Sequence, residues 1–138
     1  MSARDIFHHA VRAALEKEGW VITQDPLFIK VEDIEFYIDL GAERIIAAQK
    51  DTQKIAVEIK SFLGSSEVSD FHLALGQFLN YRLALKKKQP ERVLYLAVPV
   101  DVYDEFFSRQ FIQEVIAEYN LKLLIFDAEK EEIVLWRH

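Results

Sequence analysis

The sequence predicts a mixed α/β fold in which helices cover the faces of a sheet. Three observations carry that expectation. The chain opens on an amphipathic helical pattern and continues through short β patterns that include a hairpin. It then sets a long helix before "RVLYLAVPV", a nearly continuous apolar run of the kind buried on both faces of a sheet. At 138 residues the chain suits a single domain over its whole length, burying roughly two thirds of its unfolded surface.

Each element has its own signal. Ser2 followed by Asp5 resembles a capping box. Ile6, Phe7, Ala10, Val11, Ala14 and Leu15 then recur at helical spacing until Gly19, predicting a first helix over about residues 3–18. Trp20 to Thr23 and Leu27 to Val31 read as short β segments around a turn at Asp25-Pro26. "EFYIDL" and "ERIIAAQ" read as strands with Gly41 placed to bend or bulge the chain between them. After a turn at "KDTQ" comes "KIAVEIK". Ser65 to Lys88 is a long helical pattern with Val68, Phe71, Leu75, Phe78 and Leu85 toward a core and Lys86, Lys87 and Lys88 at the negative end of its dipole. Pro90 closes it. Beyond the buried strand, a helical region over about residues 101–119 leads to "LKLLIFD" and "EIVLWR" as final strands.

Composition narrows the function classes. Hydrophobic residues make up 51% and charged residues 29%, which sets the chain apart from disordered polymers. It has no cysteine, which excludes disulfides, thiolate zinc sites and cysteine nucleophiles and suits a reducing cytoplasm. The longest apolar stretch, Val93 to Val100, is too short to cross a bilayer, and the N-terminus lacks a signal-peptide pattern, so the expectation is a soluble, unprocessed protein away from membranes. A net charge of −6 argues against phosphate binding over the whole surface and leaves local basic patches, of which Arg82 with Lys86 to Lys88 is the strongest.

The chemistry concentrates in "AVEIKSF". If "ERIIAAQ" pairs antiparallel with "KIAVEIK", Glu58 and Lys60 share one face while Val57 and Ile59 enter the opposite layer. Asp39 and Glu43 then come toward them from the neighbouring chain. Two carboxylates held together repel, so one is driven to hold a proton or both call for a cation. Magnesium fits, because it takes few carboxylates, keeps waters and leaves room for a phosphate. The ion would acidify a water and Lys60 would steady the attacked phosphate as a compact charge. A bland explanation stands beside this: alternating charges on a solvated strand face give Glu-x-Lys with no site, and Asp39 before Leu40-Gly41 could serve a turn.

Other residues divide the same way. Gln77 and Tyr81 lie one turn apart on a helix face, which suits either an active-site wall or an ordinary helix surface. Gly76 in that helix costs about 1 kcal/mol relative to alanine, and close packing on the sheet would account for it. His8 and His9 lack zinc spacing and read as helix-surface residues. Phe106, Phe107 and Phe111, at helical spacing, read as core or interface.

"YID" at 37–39, "EIKS" at 58–61 and a following helix carrying Gln77 together resemble the PD-(D/E)XK nuclease superfamily. That resemblance implies a restriction-endonuclease-like α-β-β-β-α-β core with a mixed sheet flanked by helices. It implies a Mg²⁺ or Mn²⁺ site with Asp39 and Glu58 as ligands, Lys60 as the catalytic lysine and Gln77 in support. Ile38 stands where the pattern has proline, and the gap to Glu58 is longer than in compact relatives, which makes Glu43 a second candidate on that strand. Glu16 is the candidate for the first-helix acid some relatives use.

"DPLFIK", "YIDLGAERIIAAQK", "KIAVEIKSFLG", "ALGQFLNYRLAL", "RVLYLAVP" and the tryptophan beyond "EEIV" are more specific, and over essentially the whole chain they resemble the XisH family, the fdxN element excision controlling factors of cyanobacteria. This second resemblance implies a role in excising a DNA element during heterocyst development, with DNA, an XisI-like companion and a site-specific recombinase as partners. It leaves open two functions, a Mg²⁺-dependent endonuclease and a non-catalytic accessory factor with a nuclease-like fold, and leaves open a homo-oligomer.

Overall fold

The computed structural model describes residues 2–46, 48 and 51–138. In chain order its elements are α1 (Ala3–Lys17), β1 (Val21–Gln24), β2 (Leu27–Val31), β3 (Ile34–Ile38), β4 (Leu40–Ile46) and β5 (Asp51–Ile59). There follow α2 (Glu67–Lys88), β6 (Arg92–Pro99), α3 (Val100–Val102), a π-helical turn (Tyr103–Phe107), α4 (Gln110–Glu118), β7 (Leu123–Asp127) and β8 (Glu132–Arg137). Among the described residues, six strands form one mixed sheet in the order β1-β4-β5-β6-β7-β8, and β2 and β3 pair separately as a hairpin. The β5-β6 and β6-β7 pairs are parallel and the others antiparallel.

The local chemistry explains these boundaries. Ser2 accepts a hydrogen bond from the Asp5 amide and so satisfies a free donor at the start of α1. At the other end Gly19 takes φ 87°, and the amides of Gly19 and Trp20 close back on the carbonyls of Glu16 and Leu15, which ends the helix in a left-handed cap. Ser66 caps α2 in the same way as Ser2 caps α1, through the Ser69 amide.

Each face of the sheet has its own core. Val11 and Leu15 of α1 bury against Leu40, Ala42, Ile55, Val57, Tyr95 and Ala97. On the other face Phe71, Ala74, Phe78 and Leu85 of α2 join Ile38, Ala56, Leu96, Phe106 and Phe107. β6, covered on both sides, is buried at seven of its eight positions, which is why its sequence shows no alternation.

Several expectations need correction. The break between "EFYIDL" and "ERIIAAQ" falls at Asp39; Gly41 lies inside β4, paired with Ala56 and with Gln24. A Cβ there would stand in ordinary contact with Gln24 and Arg92, and the irregularity expected near Gly41 falls on its partner strand, where the β1 register shifts between Ile22 and Gln24. The end of "ERIIAAQ" and the start of the "KDTQ" turn, residues 47, 49 and 50, lie outside the described residues. Val68 is half exposed, with Ala74 and Ala84 taking core positions instead. Gly76 packs on nothing: a Cβ there would meet open space. The helix expected over residues 101–119 is divided because Arg109 takes extended backbone (ψ 137°). The π turn before it brings adjacent Phe106 and Phe107 both into the core, while Phe111 stays 71% exposed.

Candidate active site

Asp39 occupies the point where the chain leaves the β2-β3 hairpin and enters the main sheet. Its neighbours force the change of direction: Ile38 is fully buried in the core beneath α2, and Leu40 is fully buried in the core beneath α1. The β4-β5 register pairs Leu40 with Val57, so one step further on Asp39 stands opposite Glu58. The two residues grip each other. The Asp39 amide donates to Glu58 Oε1 (3.1 Å), and the Ile59 amide donates to Asp39 Oδ2 (2.8 Å). Lys60 lies on the same face as Glu58, with Nζ 3.5 Å from Glu58 Oε2. Its backbone amide donates to the Ala97 carbonyl and carries the parallel ladder past the end of β5. Val57 and Ile59 turn into the opposite core, as strand alternation requires.

Asp39, Glu58, Lys60 and Gln77 line one cavity of 540 Å³, with Tyr37 and Tyr81 on its walls. Glu58 is 6% exposed. Burial, and then the neighbouring Asp39 carboxylate, push its pKa up from 4.5 to about 8 against the opposing pull of Lys60. The same burial and the two carboxylates raise the Tyr81 hydroxyl to about 12, so it remains a neutral donor at any physiological pH. Gln77 brings a buried Oε1 that has no hydrogen-bond partner among the described residues. A buried oxygen left without a donor costs free energy of order 1–3 kcal/mol, and such groups mark places where a ligand or ordered water belongs.

The donor set suits a hard divalent ion. Both carboxylates retain lone pairs beyond their amide bonds, and an amide oxygen such as that of Gln77 can accept from ion-bound water. Among the described residues no group of three or more His, Cys, Asp or Glu converges. Two protein carboxylates with the remaining positions left to water and phosphate is the magnesium arrangement, and an all-protein cage is not available here.

The two further acids do not join. Glu43 pairs with Lys54 midway along the ladder and lies 3.8 Å from Arg92, because antiparallel pairing carries it away from Glu58 as it brings Asp39 near. Glu16 is exposed on α1, about 12 Å along the helix from His8. His8 is what α1 contributes: with Phe7 it closes a small cleft of 30 Å³ against Asp39, Ile59 and Ser61. Its Nε2 sits 2.9 Å from Asp25, whose carboxyl Arg12 also holds, below its ordinary pKa. His8 is therefore part-buried at the site's edge, where helical spacing alone suggested a surface residue. Tyr37 was legible in principle, being two residues before Asp39 in a β segment; His8 was not, because nothing local says which strand end a helix face will meet.

Fold and cavity together define an α/β protein with a buried glutamate, a part-buried aspartate and a lysine at the end of an interior strand. The chain belongs to the XisH family: the model described as "XisH protein" matches residues 1–134. Two solved structures are similar to it throughout. An XisH family protein from Nostoc punctiforme PCC 73102 is 52% identical with a TM-score of 0.90, the match covering 97% of this chain and 100% of that one. An fdxN element excision controlling factor protein from Anabaena variabilis is 51% identical with a TM-score of 0.89, covering 98% and 100%. No curated protein matches the chain. No helix among the described residues is long and apolar enough to cross a membrane.

Proposed function

We propose that this protein is a Mg²⁺-dependent, PD-(D/E)XK-type DNA endonuclease serving excision of a DNA element, the process for which its Anabaena variabilis relative is named. The observation that carries the reading is the approach of Asp39 and Glu58, joined by the Asp39 amide to the Glu58 carboxylate and the Ile59 amide to the Asp39 carboxylate, beside Lys60 in a cavity that also holds a Gln77 oxygen with no partner among the described residues. A buried carboxyl that keeps its proton to about pH 8 beside a second carboxylate can exchange that proton for a cation.

Asp39 and Glu58 would hold the ion, and Mn²⁺ would serve in place of Mg²⁺. The bound ion would supply an acidified water and neutralise charge on the phosphate. Lys60, whose ammonium lies 3.5 Å from Glu58, would orient the attacking water or face the phosphate as a compact positive charge. Gln77 would fix the water position, and Tyr81 would donate from the opposite wall. Control of excision further suggests work in the cytoplasm beside a recombinase and an XisI-like companion, which could add the basic surface this acidic chain lacks.

The deciding experiment incubates the protein with supercoiled plasmid and with branched DNA in Mg²⁺ or Mn²⁺, with and without the companion, using Lys60→Ala as control. Divalent-dependent cutting that the substitution abolishes is the expected result. DNA or partner binding with no cutting under any of these conditions would sink the enzyme and leave an accessory factor.

A further inference from the structure

The β2-β3 hairpin carries a feature that neither the core nor the acid site explains. Phe28 and Tyr37 are cross-strand partners on its outer face, with ring centroids 5.2 Å apart, and both rings are open to solvent, at 45% and 54% exposure. Aromatic pairs of this size normally contribute by burial, which these two largely forgo. Their position is informative. Tyr37 lies two residues before Asp39 and lines the same cavity as the two carboxylates and Lys60. On the same outer face Lys30 stands two residues from Phe28, paired across the hairpin with Glu35, which accepts from the Tyr37 hydroxyl at 3.2 Å. Lys30 answers Glu35, while the hairpin's turn adds the exposed Glu32 and Asp33, so this face offers rings and no basic grip.

Charge and stacking make different demands on a nucleic acid. A duplex offers phosphates outside and keeps its bases stacked on one another, so a protein gripping it needs a basic surface. An unpaired base offers a π-face that any exposed aromatic ring can meet, whatever its sequence. An acidic chain with an aromatic pair whose Tyr37 ring lines the acid-site cavity is equipped for the second demand. We propose that Phe28 and Tyr37 form a stacking platform for an unpaired base next to the phosphate held at Asp39, Glu58 and Lys60, so that the substrate is single-stranded or locally melted DNA. The assignment rests on the nuclease reading for which phosphate is cut, but base binding can be measured without cutting.

The test titrates the intact protein into a fluorescein-labelled, mixed-sequence single strand and into its duplex, without divalent ions, following anisotropy. The single strand should bind more tightly than the duplex. Phe28→Ala or Tyr37→Ala should weaken the single strand by about five- to a hundredfold and leave circular dichroism and melting nearly unchanged, because both rings are surface groups. Tyr37→Phe, which keeps the ring and drops the hydroxyl, should retain binding. Equal or tighter duplex binding, alanine variants that bind like the parent, or no binding of either DNA would each overturn the platform. So would self-association that Phe28→Ala abolishes while oligonucleotide affinity stays put, since the pair would then join copies of the chain. Single-strand binding with the expected alanine losses, but no divalent-dependent cutting, would discard the nuclease reading and leave the platform standing.

Discussion

The β5-β6 ladder holds charge out of water at both ends and handles it in opposite ways. Near its start Arg92, on β6, is 9% exposed, and its guanidinium donates to the carbonyls of Ile55 (2.9 Å) and Ala42 (3.4 Å) and to Gln89 Oε1 (2.6 Å), with Glu43 3.8 Å away. Nε and Nη1 each meet carbonyl or amide oxygens and Nη2 faces the Glu43 carboxylate, so that cation is spent on architecture. At the far end the balance is missing. Two acids face one lysine, Glu58 keeps its proton to about pH 8, and Gln77 offers an oxygen to no protein donor among the described residues. Buried polarity that is fully answered marks structure, whereas polarity left partly unanswered beside a cavity marks a place for a ligand.

Substitutions should separate the two ends. The largest effect is expected for Lys60→Ala: cleavage should fall by about 10²–10³-fold while stability changes by less than about 1 kcal/mol, since Glu58 can stay protonated without it. Plasmid nicking and a urea melt on one preparation read both quantities. Arg92→Met should do the reverse. Leaving two carbonyls without their donor should cost about 2–4 kcal/mol in the melt, with cutting per folded molecule retained.

Acidity gives a third contrast. Between pH 4.5 and about 8 the folded chain holds a proton on Glu58 that the unfolded chain has released. The folded state therefore binds more protons in that window, and stability should fall as pH rises, by up to about 1.4 kcal/mol per unit for this one group, flattening below pH 4.5 and above 8. Glu58→Gln should remove that component of the slope, and millimolar Mg²⁺ should reduce it if the pair takes the ion; denaturation series at several pH values read both. The smallest effect belongs to Gly76→Ala. A Cβ there meets open space, so helix propensity alone should stabilise the protein by about 0.5–1 kcal/mol, visible as a small rise in melting temperature.

What the sequence disclosed follows the range of the interactions involved. α1 was legible because Ser2 and Gly19 write its caps within a few residues, and α2 because its apolar residues recur at helical spacing up to Pro90. The convergence of Asp39 and Glu58 was legible once the strands were paired, because antiparallel register turns two positions into one contact. Glu43 was misjudged by the same arithmetic run in the wrong direction: on an antiparallel partner, moving up one strand means moving down the other. Gly41 looked like the break between strands, but the chain turns at Asp39, where Ile38 and Leu40 enter opposite cores built by helices distant along the chain. His8 and Gly76 depend on where a helix lands on the sheet, which no window of sequence contains.

The paired amide bonds of Asp39 and Glu58 also rivet the seam at which the small hairpin hands over to the main sheet. Each acid supplies an acceptor where regular strand pairing has lapsed, so both do masonry as well as any chemistry. A family member that never touched DNA would still keep the two acids to hold its seam shut. Lys60, whose side chain fastens no backbone, is the position at which holding shape and cutting come apart, and its fate across relatives is the one to watch.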